Sequence, residues 1–303
     1  MAFENIVGNS KIKETLNSII QKNNILHGYM FIGTEGIGKK IFATEFSKML
    51  LCIAEQNKPC NTCKSCIEFN GNNNPDFKII EPDGNSIKIE QIRLMNSKII
   101  EKPITSARKV YIINDSQKMT VDAQNCLLKT LEEPPEYATI ILICNNEAQM
   151  LTTIKSRCTK LNFKPLTEFE IKQYIQEHLK ENVDNNILKL SEGSIGKAIN
   201  LKEKIELYSE LEKFINKIET IKNTTIFSEA ELLYKNTEDI QEILNYMNIK
   251  FFEKGSNNEN YLNCIQKVEQ AKKRLKANSN YNMTIDNLLL QIWEEINEKN
   301  SRS

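Results

Sequence analysis

Proline is confined to the first 165 residues of this chain, and its distribution constrains the fold more than any other feature. All seven prolines lie there, and Pro165 is the last of them. Residues 166–303 contain no proline and only three of the ten glycines. Because proline and glycine mark turns and interrupt helices, this distribution predicts a mixed α/β front half and an all-helical back half.

The front half alternates between helical and strand-like segments. Apolar residues follow helical spacing over residues 12–20, 41–53 and 89–99. Short apolar runs rich in branched side chains lie at residues 28–32, 77–80, 110–113 and 139–143. Such runs suit the centre of a parallel sheet that is covered on both faces, so the pattern predicts βαβ units and a doubly wound α/β fold.

The back half begins with a helix-start signal. Thr167 followed by Glu170 is typical of a capping box. Further helix breaks are predicted near residues 192–196, 223–225, 255–258 and 278–280. The predicted organisation is a nucleotide-binding-type domain at 1–164, a small helical domain at 165–203 and an all-helical domain at 204–303.

Charge and hydropathy exclude some classes of protein. The chain has 40 basic and 40 acidic residues and a formal net charge of zero, so it has no bulk attraction for nucleic acid. The longest apolar run, at residues 138–144, is far shorter than the roughly 20 residues that a membrane span needs. The first ten residues lack the basic and apolar regions of a secretory signal. We therefore expect a cytoplasmic protein without membrane contact.

Residues 33–40, Gly-Thr-Glu-Gly-Ile-Gly-Lys-Lys, lie between a predicted strand and a predicted helix, as a phosphate-binding loop does. Gly33, Gly36 and Gly38 let backbone N–H groups face phosphates, and Lys39 would reach the β- and γ-phosphates. Lys40 stands where Ser or Thr usually coordinates Mg²⁺, and a protonated ammonium cannot bind a metal. The loop indicates phosphate-loop ancestry with weakened ATP hydrolysis; a glycine-rich turn without a ligand is the alternative.

A second strand, at residues 110–113, ends in Asn114 and Asp115. Phosphate-loop ATPases place the carboxylates that organise the metal at such a strand end, and active members usually carry Asp-Glu. Asn114 has no charge, and Asp115 has a shorter side chain than Glu. Together with Lys40, this is a second weakening of the metal-binding apparatus. Alternatively, Asp115 only caps the next helix.

Four cysteines have the spacing of a metal site. Cys52, Cys60, Cys63 and Cys66 follow the pattern Cys-x₇-Cys-x₂-Cys-x₂-Cys. In a reducing compartment, where disulfides are rare, this spacing favours a tetrahedral structural Zn²⁺. All four ligand positions are filled, which leaves none open for catalysis.

Two basic residues have positions that suggest nucleotide chemistry. Arg157 lies shortly before the predicted domain boundary, where an arginine can reach a neighbouring subunit's site and stabilise transition-state charge in trans. An ordinary ion pair is the alternative. Lys197 lies near the start of a predicted helix, where it would sense a γ-phosphate; a simple loop–helix junction is the alternative.

Taken in order, these motifs resemble the AAA+ subunits of bacterial clamp loaders, above all the delta-prime family of DNA polymerase III. The most specific parts are the cysteine spacing and Leu-Leu-Lys-Thr-Leu-Glu-Glu-Pro-Pro at residues 127–135. The resemblance is strong over residues 1–200 and weaker beyond. It is carried by residues 5–8, 27–29, 33–40, the four cysteines, and residues 110–117, 127–135 and 156–158.

The resemblance implies a RecA-like AAA+ domain with a parallel sheet and a zinc module at about residues 52–66, then a helical lid at 165–203 and a helical collar at 204–303. It implies a hetero-pentamer with gamma/tau and delta subunits that places the β sliding clamp on primed DNA. The subunit would be a stator that offers Arg157 to a neighbouring ATPase. It would hydrolyse little or no ATP itself, although Lys39 and the glycines retain the means to bind ATP or ADP.

Two other functions are compatible with parts of the sequence. An active gamma/tau motor shares the loop and the cysteines, but Lys40 and Asn114 oppose it. A DNA-remodelling AAA+ machine, such as a branch-migration motor, shares the fold. The zinc cysteines and the helical back half, which lacks a DNA-binding module, oppose that function.

Overall fold

The structure is a computed structural model that describes Phe3, residues 6–256 and residues 258–297 of the 303-residue chain. The chain divides into two compact units, Met1–Ile199 and Asn200–Ser303. Parts of three sequence features lie outside the described residues: Asn5 of the 5–8 segment, Asn257 of the predicted break, and residues 298–303 of the predicted third domain. The domain boundaries after residues 164 and 203 stay predictions.

The first unit is built on a parallel sheet, as the sequence predicts, and the sheet has five strands within the described residues instead of the four that were predicted. Its strands are β1 (Gly28–Ile32), β2 (Phe77–Ile80), β3 (Lys109–Ile113), β4 (Ala138–Cys144) and β5 (Thr159–Asn162). They lie in the order β2-β3-β4-β1-β5, and every pair is parallel. Sequence analysis missed β5, because in this edge strand only Leu161 is buried and the strand therefore lacks an apolar run.

In the described residues from Phe3 to Glu203 the structure has nine α-helices, and the three helices predicted for the front half are confirmed. Their bounds are α1 (Ser10–Gln21), α2 (Lys39–Leu51), α3 (Lys64–Asn70), α4 (Ile89–Ile99), α5 (Val121–Glu132), α6 (Thr152–Arg157), α7 (Glu168–Leu179), α8 (Asn185–Leu190) and α9 (Ile195–Glu203). The predicted capping box also forms. The Thr167 hydroxyl accepts from the N–H of Glu170, and the Glu170 carboxylate accepts from the N–H of Thr167.

Each face of the sheet is covered by an apolar core. In β1, Met30 points into the core shared with α4 and α5, whereas Tyr29 and Phe31 point into the core shared with α1 and α2. Successive side chains of a strand alternate between faces, so a strand buried on both sides must be apolar throughout. This is why the strand segments read as unbroken apolar runs.

The described part of the second unit is helical and contains no strand. Its helices are α10 (Ile205–Lys217), α11 (Ile226–Glu229), α12 (Glu231–Lys235), α13 (Ile240–Gly255), α14 (Asn260–Lys276) and α15 (Tyr281–Asn297). Helix α14 packs against both α13 and α15. The predicted breaks at 223–225 and 278–280 are confirmed. No break is predicted between residues 225 and 255, and this is wrong at Ala230, which leaves helical geometry and separates α11 from α12.

Within the described residues, no helix combines the length and the apolar character needed to cross a membrane.

A buried carboxylate fixes the chain beside the edge strand β2. Asp76 is only 1% exposed, and its carboxylate accepts hydrogen bonds of 2.8 Å from the backbone N–H groups of Ile104, Thr105 and Ser106. The amide of Asn74 donates to the carbonyl of Ser65 in α3 at 3.0 Å. These bonds join the start of β2 to the loop before β3 and to the cysteine-bearing segment.

Replacing Asp76 should destabilise the first unit strongly. We expect Asp76→Ala to lower the free energy of unfolding by at least about 3 kcal/mol, because three backbone N–H groups lose a buried, charged acceptor. Urea unfolding followed by circular dichroism measures the change. In the matched control, Asp83→Ala, an exposed ion pair with Lys88 at 3.0 Å is lost, and the change should stay below about 1 kcal/mol. Equal losses in the two variants would contradict this role of Asp76.

Candidate nucleotide and metal sites

A cavity of about 420 Å³ opens at the carboxyl ends of the central strands. Its walls include the loop after β1, Asn114 and Asp115 after β3, and Asn145 after β4. Two further segments contribute described lining residues: the start of the chain, with Ile6 and Val7, and residues 166–199, with Leu166, Tyr174, Ile195, Gly196 and Ile199. Open α/β sheets bind ligands at the carboxyl ends of their strands, where the strand order reverses.

The loop at residues 33–40 has a conformation that requires glycine. Gly36 and Gly38 have φ values of +75° and +92°. A Cβ on Gly36 would lie 2.2 Å from Oγ of Ser194, and the N–H of Gly196 donates to the carbonyl of Gly36 at 3.3 Å. The start of α9 is therefore in direct contact with the loop. Gly38, by contrast, has nothing within 4 Å of its Cβ position.

Lys39 lies in the loop with its ammonium group enclosed. The side chain is 5% exposed, and Nζ donates to the carbonyls of Gly33 and Thr34 at 2.6 Å and to Oδ1 of Asn145 at 2.8 Å. Burial lowers the pKa of Lys39, and the nearby Cys144, Asp115 and Glu35 oppose that shift. Sequence analysis missed Asn145, although a polar residue directly after a buried strand was a usable signal.

The other three predicted residues of the cavity each form polar contacts of their own. Lys40 donates to Oε1 of Glu81 at 2.7 Å, and both side chains are about half exposed. The backbone N–H of Asn114 donates to Ile80. The carboxylate of Asp115 contacts Nε2 of Gln117 at 3.3 Å and Nζ of Lys118 at 3.5 Å. The Asp115 carboxylate accepts no capping hydrogen bond from the helix that follows it, so the alternative that Asp115 only caps that helix is wrong.

Lys197 lies against the loop, but its ammonium group is engaged elsewhere. Its backbone nitrogen lies 3.5 Å from the Cβ position of Gly36. Its Nζ donates to Oε2 of Glu192 at 2.8 Å. Contact with a γ-phosphate would therefore require the side chain to leave Glu192.

Arg157 is separate from the cavity. Arg157 is the last residue of α6, and it is not among the described residues that line the cavity. Its Nη2 lies 2.8 Å from Oε1 of Glu132, and Nη1 donates to the carbonyl of Thr153 at 3.0 Å. Since the side chain is 34% exposed, the guanidinium is accessible from outside the chain. No local pattern in the sequence identifies Glu132 as the partner of Arg157.

The four predicted cysteine ligands come together at the other end of α2. All four Sγ atoms lie within 4.8 Å of one another, and in the described part of the chain no other group of three or more potential metal ligands is found. Backbone N–H groups of Thr62 and Cys63 lower the pKa of Cys60 to about 5, whereas burial raises the pKa of Cys52 and of Cys66. Four thiols at this separation fit a single thiophilic ion.

Comparison with known proteins places these sites in a family. A family model described as DNA polymerase III, delta subunit, matches residues 8–167. The delta' subunit of DNA polymerase III from Bacillus subtilis (strain 168) is 28% identical over 94% of this chain and 96% of its own length. The tau subunit of the same bacterium is 34% identical over 64% of this chain, and the match spans only 34% of that protein.

One solved structure shows a shared fold. The gamma subunit-related protein of DNA polymerase III from Thermotoga maritima matches with a TM-score of 0.50 at 20% identity. The match covers 93% of this chain and 99% of that one. The expectation of an α/β domain built on a parallel sheet is confirmed.

The contact between the loop and α9 can be tested with two glycine substitutions. Both Gly36→Ala and Gly38→Ala place an L-residue in left-handed geometry, at a cost of about 1–2 kcal/mol. Only in Gly36→Ala does the new Cβ also collide with Oγ of Ser194, and this overpacking should lower the free energy of unfolding by about 1–3 kcal/mol more. Chemical unfolding should therefore show a larger loss for Gly36→Ala. A larger loss for Gly38→Ala, or equal losses, would contradict the contact.

Proposed function

Since the chain belongs to the DNA polymerase III delta-subunit family, we propose that it is the delta-prime-type stator of a replicative clamp loader. In this function it assembles with gamma/tau and delta subunits into a hetero-pentamer that places the β sliding clamp on primed DNA. The similarity to the B. subtilis delta' subunit, which spans nearly the whole of both chains, supports this function.

The observation that carries the stator role is the place of Arg157. Its guanidinium lies outside the chain's own cavity, at the partly exposed end of α6, where Glu132 holds it. An arginine in that position serves a neighbouring subunit, where it stabilises the charge that develops on the transferred phosphoryl group. Glu132 would keep the side chain extended until the partner's nucleotide competes for it.

The cavity residues support binding of nucleotide rather than its turnover. Lys40 and Asn114 stand where active phosphate-loop ATPases place a hydroxyl and a carboxylate for the metal. An active gamma/tau-type motor remains the second candidate, because the B. subtilis tau subunit is 34% identical over the 64% of this chain that it matches. ATP hydrolysis by the isolated chain separates the two: the stator should show negligible turnover, and robust turnover would favour the motor.

The remaining domains would have structural tasks. Residues 165–203 would act as a lid, which the contact of Ser194 and Gly196 with the loop supports. Residues 204–303 would act as the collar that joins subunits. Cys52, Cys60, Cys63 and Cys66 would hold one structural Zn²⁺ in a module at about residues 52–66, since their four sulfurs leave no ligand position open for catalysis.

Removal of the arginine tests the stator role. We expect Arg157→Ala to lower the DNA-stimulated ATPase rate of the reconstituted loader at least about twofold, because one site loses an arginine worth about 10³-fold or more in kcat. Arg157→Lys should lower this ATPase rate as well, since an ammonium lacks the planar fork of the guanidinium.

Arg93→Ala, at an exposed position of α4, is the matched control and should leave the rate unchanged. Gel filtration verifies that each variant assembles. A fully active Arg157→Ala complex would refute the arginine assignment.

Metal analysis tests the zinc module. Plasma mass spectrometry of the purified chain should find about one zinc per chain. Cys63→Ser should lose the metal and lower the free energy of unfolding by at least about 3 kcal/mol, because metal binding is linked to folding of the site. Cys126→Ser, at a half-buried cysteine outside the cluster, should retain the zinc. Equal zinc content in both variants would rule out the four-cysteine site.

A further inference from the structure

The cavity does not fit the divalent cation that its loop ancestry implies. Phosphate-loop ATPases hold Mg²⁺ with a loop Ser or Thr and with a carboxylate after a neighbouring strand. Here those positions are Lys40, whose ammonium only donates hydrogen bonds, and Asn114, whose amide carries no charge. Mg²⁺ prefers oxygen ligands of high charge density, and these two residues provide none.

Lysines pair with three carboxylates at and near the cavity. Asp115, which lines it, lies 3.5 Å from Nζ of Lys118, and nearby Glu81 pairs with Lys40 at 2.7 Å and Glu192 with Lys197 at 2.8 Å. Glu35 also lines the cavity, but among described residues three or more potential metal ligands converge only at the four cysteines, beyond the opposite end of α2. The cavity therefore holds no cluster of carboxylates that would replace the two missing metal ligands.

The parts of the loop that hold phosphates are nevertheless retained. Nζ of Lys39 lies in the loop and donates to three oxygens at 2.6–2.8 Å, so a bound phosphate would replace one of these acceptors. Helix α2 begins at Lys39 and has 13 residues, and its first N–H groups are natural donors to an anion. Because Gly38 has open space around its Cβ position, the loop remains accessible on that side.

Lys40 is placed to supply the missing positive charge. It lines the cavity, and its side chain is 50% exposed, so the ammonium can turn from Glu81 toward a bound phosphate without unpacking the core. An ammonium neutralises phosphate charge as a point cation. It does not activate water as a metal does, so its presence favours binding over hydrolysis.

We propose that this cavity binds a nucleoside di- or triphosphate without a divalent cation, with the ammonium of Lys40 in place of the metal. This inference deepens the proposed function, since it specifies the ligand of a subunit that binds nucleotide without turning it over. It requires neither Arg157 nor any partner subunit, so the isolated full-length chain is sufficient to test it.

The test is titration calorimetry of the full chain with ADP and with ATP, once in MgCl₂ and once in EDTA. The wild-type dissociation constants in the two buffers should agree within about threefold. Lys40→Thr should weaken binding in EDTA at least about tenfold and regain affinity when Mg²⁺ is added. Lys40→Met removes the charge while retaining a long side chain, and it should weaken binding in both buffers.

Two further variants define the site. Glu81→Gln removes the competing carboxylate and should leave binding in EDTA unchanged or tighter. Lys39→Ala should abolish binding in both buffers. Thermal unfolding verifies that every variant is folded, and Arg93→Ala serves as the surface control.

Several results would overturn the proposal: wild-type binding that requires Mg²⁺, no wild-type binding in either buffer, undiminished binding by Lys40→Thr in EDTA, or undiminished binding by Lys39→Ala. None of these results bears on subunit assembly or on the Arg157 assay. Failure here and failure of the stator function are therefore distinguishable.

Discussion

The enclosed ammonium of Lys39 is the interaction on which the cavity depends. A buried charge is costly unless polar partners surround it, and here two loop carbonyls and Asn145 do so. These bonds join the end of β1, the start of α2 and the end of β4 at one point. Because α2 begins at Lys39 and ends directly before Cys52, the same helix also places the first thiol of the cysteine cluster.

The ion pairs around Lys39 favour binding of a ligand in the cavity over catalysis there. Phosphate-loop chemistry needs a metal held by oxygens and a residue that positions the attacking group. In this chain lysines pair with Glu81 and Glu192, and Arg157 pairs with Glu132 outside the described lining of the cavity. This arrangement supports the proposal of a subunit that would offer an arginine to another site while its own site would only hold phosphates.

The elements that the sequence predicts with the observed bounds have a strong apolar pattern. β1 is almost entirely buried, α4 buries Ile92, Met95 and Ile99 along one face, and three of the four residues of β2 are apolar although Lys78 is exposed. Two features have no such pattern: β5, in which Leu161 is the one apolar residue, and the break at Ala230, which is not marked by glycine or proline. Short edge strands and small interruptions depend on neighbours that a local pattern does not contain.

The residue types that set the chemistry can be identified in the sequence alone: the loop glycines, the lysine at the metal position, the neutral Asn114 and the four thiols. Their contact partners depend on the tertiary fold. Glu81 beside Lys40, Asn145 on Lys39, Glu132 on Arg157 and Ser194 against Gly36 join residues that are 25 to 158 positions apart. The Lys40 and Lys39 pairs form because parallel strands bring their carboxyl ends to one edge of the sheet. Glu132 and Arg157 instead end α5 and α6, the helices that precede β4 and β5, the two strands that flank β1, and Ser194 meets Gly36 where α9 begins against the loop.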